Sequence, residues 1–222
     1  MQAVLSILLA MAPYLAVVIY LLIKKKIGEL KFSDIIVGFG GILCAVAAGA
    51  VIGTLIIMNY PQTGSSISNS FLITVLGVSL IGVLIVGEAL RYGLVRRALQ
   101  KETHRPLAGL SYGIGFSFGE FLIYLVPLLM NRGDYISWDA AALIAVDVSM
   151  QILLSISCYE LIKQNNFAFI AVGGLYYLSF FLSYVLHNAT ALNIAAKVVG
   201  LIIAVVLAVV LMPRENQYGE EA

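Results

Sequence analysis

Residues 35–58 read IIVGFGGILCAVAAGAVIGTLIIM, a stretch that contains no charged side chain. At about 1.5 Å per residue, an α-helix of this length can cross the hydrocarbon core of a bilayer, which is about 30 Å thick. Six other stretches have a similar length and composition. The seven predicted spans cover residues 3–23, 35–58, 70–95, 107–130, 138–162, 167–186 and 191–212, and residues 213–222 form a short polar tail.

The composition of the whole chain is also typical of a membrane protein. Its 222 residues are 61% hydrophobic and 11% charged, and the mean hydropathy is +1.00. A soluble domain has about 45–50% apolar and about 25% charged residues, so a soluble enzyme and a disordered chain are excluded. The net charge of +1 gives no basic field for a nucleic acid. We predict an all-α, polytopic membrane protein with a single seven-transmembrane helical bundle.

The basic residues between the predicted spans indicate the orientation. The breaks on one side of the bundle hold ten Lys and Arg residues, counting the tail, whereas those on the other side hold only Arg132. Because loops rich in Lys and Arg stay in the cytoplasm, we expect the N-terminus outside and the C-terminus in the cytoplasm. An odd number of spans places the two termini on opposite sides of the membrane, which agrees with this orientation.

Two pairs of glycines lie four residues apart within predicted spans. Gly49 and Gly53 form one pair, and Gly115 and Gly119 form the other. Small residues at this spacing let two helix backbones approach closely in a membrane. We therefore predict close helix packing at both pairs.

Polar side chains within hydrocarbon need an explanation, because an ionisable group costs several kcal/mol there. Seven such residues lie within or at the ends of the predicted spans. They are Glu88, Arg91, Glu120, Asp147, Gln151, His187 and Lys197.

The spacing of these residues suggests specific partners. Glu88 and Arg91 share a helix face; they form either an ion pair from which Arg91 reaches the membrane interface, or a site carboxylate oriented by its arginine. Glu120 has no partner in its own helix, so we expect one on another helix, or a water-filled cavity. Asp147 and Lys197 have opposite charges at similar predicted depths, which favours an ion pair between the fifth and seventh spans.

Gln151 lies one turn from Asp147 and shares its face. A buried glutamine of this kind usually forms hydrogen bonds between membrane helices. His187 is the one histidine close to a span, and a single histidine is weak support for a metal, because zinc sites use at least three protein ligands.

Four short motifs resemble those of a known family. They are GEALRY at 87–92, YGIGFSFGE at 112–120, MQILLS at 150–155 and LHN at 186–188. Their order and spacing resemble the YhfC-type intramembrane metalloproteases of bacteria, a group similar to the CAAX-protease and PrsW-like membrane proteases. The resemblance implies a bacterial cytoplasmic membrane location and makes Glu88, Arg91, Glu120 and His187 the candidate catalytic residues.

The chain departs from the family pattern at four positions. Gly87 stands where the family has a second glutamate, and Phe116 and Gln151 stand where it has histidines. Thr190 replaces an acidic residue. Each lost residue is a base or a metal ligand, and a metal-activated water needs a full ligand set. We therefore predict no metal and no cofactor.

Three functions remain open at this stage. The first is a non-catalytic, protease-like membrane protein that serves as a binding, assembly or regulatory subunit. Its partner would be another integral membrane protein or a lipid-linked molecule, with membrane lipids around it and no nucleic acid. The alternative is an active intramembrane protease with a reduced site, in which Glu88 or Glu120 is the base and zinc is the cofactor. The last is a small transporter or a substrate-binding membrane subunit in which Glu120, Asp147 and Lys197 line the path.

Overall fold

The protein is all-α in the computed structural model, which describes residues 2–59, 68–100, 107–130, 137–186 and 190–211. Side chains are described for 5–59, 68–97, 107–123, 137–186 and 191–211. These ranges contain seven α-helices and a short 3₁₀ helix, Ile27–Glu29, between the first two. The α-helices are α1 (Gln2–Ile23), α2 (Phe32–Met58), α3 (Asn69–Gln100), α4 (Ala108–Met130), α5 (Trp138–Lys163), α6 (Ala168–Val185) and α7 (Thr190–Leu211).

Six of the helices in these ranges, α1 to α3 and α5 to α7, are long and apolar enough to cross a membrane. The chain is therefore a multi-pass membrane protein. The helix α4 is also continuous over Ala108–Met130 and packs between α2 and α5.

The helix bounds lie within three residues of the predicted spans, except at the end of α3. That helix continues to Gln100, five residues beyond the predicted span. Hydropathy falls at Arg96 and Arg97, but arginine has a high helix propensity, so the polar side chains end the apolar segment without ending the helix.

The helix α5 lies at the centre of the bundle. It packs against α1, α3, α4, α6 and α7. Its second half is buried almost completely, including the fully covered side chains of Met150, Leu154 and Ile162. The rings of Tyr112, Phe116 and Tyr176 fill the space between α4, α5 and α6.

Glycines hold α2 close to α3 and α4. A methyl group added at Gly38 would overlap the main-chain carbonyl of Tyr112, and one added at Gly115 would overlap the carbonyl of Ile35. Both predicted glycine pairs lie at such contacts: Gly49 and Gly53 face Ser79 and its neighbours on α3, and Gly115 and Gly119 face α2. The prediction of close packing at these pairs is confirmed.

A tight turn joins α5 to α6. The amide of Asn166 donates to the carbonyl of Leu161 at 2.9 Å, and Asn165 has a positive φ of 58°. This is the Schellman ending, in which a left-handed residue closes the helix. The side chain of Asn166 then accepts a hydrogen bond from the amide of Ala168 at 2.9 Å and so starts α6. The turn holds the side chain of Asn165 beside the end of α3.

Candidate functional site

The polar residues of the bundle form two groups. The first, the Arg91 cluster, consists of Glu88, Arg91, Tyr112, Cys158 and Tyr177. The second, the Glu120 cluster, consists of Glu120, Asp147, Gln151, Tyr176 and Lys197.

Glu88 and Arg91 form the predicted ion pair within α3. The Nη1 atom of Arg91 lies 2.9 Å from Oε1 and 3.1 Å from Oε2 of Glu88. The side chain of Arg91 is only 2% exposed, so of the two alternatives the structure does not show the one in which Arg91 reaches the interface. The rings of Tyr112 and Phe116 cover the guanidinium at 5.3 and 5.7 Å. Such cation–π contacts keep the charge in the core.

The helix α6 contributes a glycine and a tyrosine to the Arg91 cluster. The carboxylate of Glu88 lies directly against Gly173, where any added Cβ would overlap it. Tyr177 follows one turn later and interacts electrostatically with both members of the ion pair. Sequence reasoning missed both residues. The available signal was their four-residue spacing, which places them on one face of the helix.

Several buried polar atoms of the Arg91 cluster lack a hydrogen-bond partner within the described residues. They are Nε of Arg91 and the hydroxyl oxygens of Tyr112 and Tyr177. Buried polar atoms without a partner are rare in proteins. Tyr112 and Tyr177 nevertheless interact electrostatically with both members of the ion pair.

Glu120 has a partner on another helix, as predicted. The hydroxyl of Tyr176, on α6, donates a hydrogen bond to its carboxylate. Gln151, on α5, is close enough to interact with the same carboxylate and is only 1% exposed. Three helices thus meet at Glu120. The sequence indicated that a partner must exist, but Tyr176 lies 56 residues away, and no local pattern identifies it.

Asp147 and Lys197 form the predicted ion pair between α5 and α7. The Nζ atom of Lys197 donates to the two carboxylate oxygens of Asp147 at 2.5 and 2.6 Å. The lysine is buried, whereas 17% of the aspartate side chain is exposed. The prediction of this pair is confirmed.

The two clusters meet at consecutive residues of α6. The rings of Tyr176 and Tyr177 are 5.5 Å apart and nearly perpendicular, with Tyr176 facing Glu120 and Tyr177 facing Arg91. Beside Glu120 lies a small cavity between α4, α5 and α6. Its lining consists of Ser117, Glu120, Phe121, Ile144, Asp147, Val148 and Tyr176.

The described residues do not form the zinc site that the family resemblance implies. Within the described ranges, no three His, Cys, Asp or Glu side chains lie close enough to bind one metal ion. Phe116 lies over Arg91, and Gln151 is a poor substitute for an imidazole. His187 lies outside the described residues, as does the side chain of Thr190. We therefore derive no chemical step that uses a metal.

Comparison with known proteins was made in three ways. No protein-family model, no curated protein and no solved structure matches it.

The hydrogen bond between Tyr176 and Glu120 gives a direct prediction. Replacing Tyr176 with phenylalanine removes the donor to a buried carboxylate, and we expect the free energy of unfolding to fall by about 1–3 kcal/mol. Unfolding in detergent micelles measures this change. The matched control is Tyr20→Phe, because Tyr20 is 56% exposed, and it should change stability little. The effect of Tyr176→Phe should largely disappear when Glu120 is already leucine; full additivity of the two changes would contradict the contact.

Proposed function

We propose that the protein is a seven-span, non-catalytic membrane protein that binds another integral membrane protein or a lipid-linked molecule. In this proposal, the N-terminus is outside and the C-terminus is in the cytoplasm of a bacterium. The helical fold would be that of the YhfC-type family. A polar core that holds the helices in their relative positions would replace the hydrolytic centre.

One observation carries this proposal: in the described part of the chain, both glutamates at the family-like positions are engaged by side chains of the bundle. Glu88 is paired with Arg91, and Glu120 accepts a hydrogen bond from Tyr176. A hydrolytic base must instead reach a water molecule and a substrate carbonyl.

The side chain at position 116 supports the same interpretation. In the family pattern, this position, one turn before Glu120, holds a histidine that could bind a metal. The ring of Phe116 is fully buried and packs on Tyr112 at a centroid distance of 5.8 Å. An apolar ring in this place cannot bind a metal ion and contributes to packing.

A zinc-binding experiment tests whether the centre is catalytic. We expect the purified protein, reconstituted in liposomes, to contain no stoichiometric zinc and to cleave no peptide from a library of membrane segments. Adding a chelator should leave its unfolding temperature unchanged. Stoichiometric zinc that is lost in Glu120→Gln, together with cleavage that a chelator stops, would show that the alternative of an active protease is correct.

A second experiment tests the binding role. The partner should co-purify from native membranes at a fixed ratio, after cross-linking within the bilayer. Variants of the core that fold less well, such as Glu88→Gln, should lower the yields of protein and partner together. A protein that migrates alone after cross-linking in native membranes would contradict the proposal.

A transporter is the second candidate, because the small cavity beside Glu120 also touches Asp147. Carboxylates in a cavity within the membrane are typical of ion and substrate paths. Proteoliposomes that accumulate a solute, and lose this activity in Glu120→Gln but not in Glu160→Gln, would favour the transporter over the binding role.

A further inference from the structure

A cavity of about 90 Å³ lies where α3 leaves the bundle beside the turn between α5 and α6. Its lining includes Tyr92 and Arg96 from α3, and Asn165, Phe167 and Phe169 from the turn and the start of α6. No residue of the Arg91 cluster or of the Glu120 cluster lines this cavity. Its size is sufficient for several water molecules or for one tetrahedral oxyanion.

Three contacts hold the guanidinium of Arg96 at this cavity. Its Nε donates to the hydroxyl of Tyr92 at 3.1 Å, and its Nη2 donates to Oδ1 of Asn165. The guanidinium carbon also lies 5.3 Å from the centre of the Tyr92 ring. The ring of Tyr92 is itself stacked on Phe169, with centroids 5.6 Å apart and an angle of 14°. The arginine is therefore oriented before any ligand arrives.

Contacts with the described residues use less than half of the hydrogen-bonding capacity of the guanidinium. Arginine carries five N–H donors, and the two contacts above use two of them. No carboxylate pairs with Arg96 in the described part of the chain. The neighbouring Arg97 is exposed, and Lys163 lies 3.8 Å from its own partner Glu160. The local charge is thus positive, and the remaining N–H groups of Arg96 can donate to an anionic ligand.

The residues around Arg96 match the composition expected at a membrane interface. Phe167 lies at the rim of the cavity and is 73% exposed. Aromatic side chains at the ends of membrane helices sit at the level of the lipid headgroups. Basic side chains at the same level attract anionic lipids.

We propose that this cavity binds the phosphate of an anionic lipid headgroup, with Arg96 as the residue that contacts it. Arginine binds phosphate with two parallel hydrogen bonds, which a lysine cannot reproduce. The amide of Asn165 holds the arginine from one side, and Phe167 lies beside the acyl chain. A soluble phosphate compound also carries a phosphate, but it has no acyl chain to contact the exposed side chain of Phe167. Phe167 would therefore add nothing to its binding.

Thermal unfolding of the full chain in detergent micelles tests the proposal. Short-chain phosphatidylglycerol is titrated against the protein, and phosphatidylcholine of the same chain length serves as the neutral lipid. We expect phosphatidylglycerol to raise the unfolding temperature and phosphatidylcholine to have a much smaller effect. In Arg96→Gln, the concentration of phosphatidylglycerol needed for half of the shift should increase about tenfold.

The adjacent arginine provides a matched control. Arg97→Gln removes the same charge one residue away, and it should keep the response of the natural protein. If Arg96→Gln does not fold, Arg96→Lys keeps the charge and should still weaken the response several-fold. Equal responses of the Arg96 and Arg97 variants would overturn the proposal, because they would indicate a general attraction to charge. Inorganic phosphate that protects the protein as well as the lipid does would overturn the assignment to a lipid.

Discussion

Replacing Lys197 with methionine is expected to destabilise the protein by about 3 kcal/mol, since it leaves the carboxylate of Asp147 without a partner. Removing one member of a buried ion pair costs about 3–5 kcal/mol, because the remaining charge stays in a medium of low polarity. The lower value applies here because 17% of the Asp147 side chain is exposed. The free energy of unfolding, measured in detergent micelles with increasing denaturant, gives the change.

The companion variant removes both charges. Asp147→Leu combined with Lys197→Met should restore stability to within about 1 kcal/mol of the natural protein, because an apolar pair can replace a buried ion pair at little cost. The control is Lys163→Met. Lys163 is 32% exposed and lies 3.8 Å from Glu160, so its loss should cost less than about 1 kcal/mol. Equal costs at Lys163 and Lys197 would show that the buried pair does not stabilise the bundle.

Replacing Gly115 with alanine is expected to cost about 3 kcal/mol, at the upper end of the range for an overpacked core. The added methyl group would overlap the main-chain carbonyl of Ile35. A flexible side chain could move aside, but a carbonyl within α2 can move only if the two helices separate. We expect the same for Gly38→Ala, whose methyl group would meet the carbonyl of Tyr112. The unfolding temperature and the fraction of monomeric protein after detergent extraction measure the effect.

Gly40, which lies on α2 two residues after Gly38, serves as the control. A methyl group added at Gly40 has no neighbour within 4 Å. Because alanine favours the helix by about 1 kcal/mol over glycine, Gly40→Ala should leave stability unchanged or raise it slightly. If Gly40→Ala and Gly115→Ala lower stability equally, the need for glycine at position 115 does not come from the close packing of α2 on α4.

Hydropathy was sufficient to locate the helices, and charge was sufficient to pair some of the polar residues. Asp147 and Lys197 have opposite signs and similar depths, so their contact follows from elementary electrostatics. The pairing of Glu88 with Arg91 follows from the three-residue spacing. Neither inference requires knowledge of how the helices are arranged.

The remaining features of the site depend on that arrangement. The burial of Arg91 results from rings on α4, and the partner of Glu120 comes from α6. A single sequence contains no signal for which helices become neighbours. The position of Glu88 against Gly173 is similarly invisible, because glycine is common in membrane helices for several reasons. The sequence therefore indicated which polar residues needed a partner. The structure was required to identify the partners on the other helices.

The two ion pairs have different consequences for synthesis at the ribosome. Glu88 and Arg91 belong to one helix, so these two buried charges enter the translocon together. Lys197 lies 50 residues after Asp147, so α5 emerges with a carboxylate whose counter-ion has not been translated. A lone charge raises the cost of insertion by about 3 kcal/mol. We therefore expect α5 to remain beside the translocon until α7 arrives. In ribosome-bound chains that end before Lys197, α5 should be inserted less stably in the bilayer than α3.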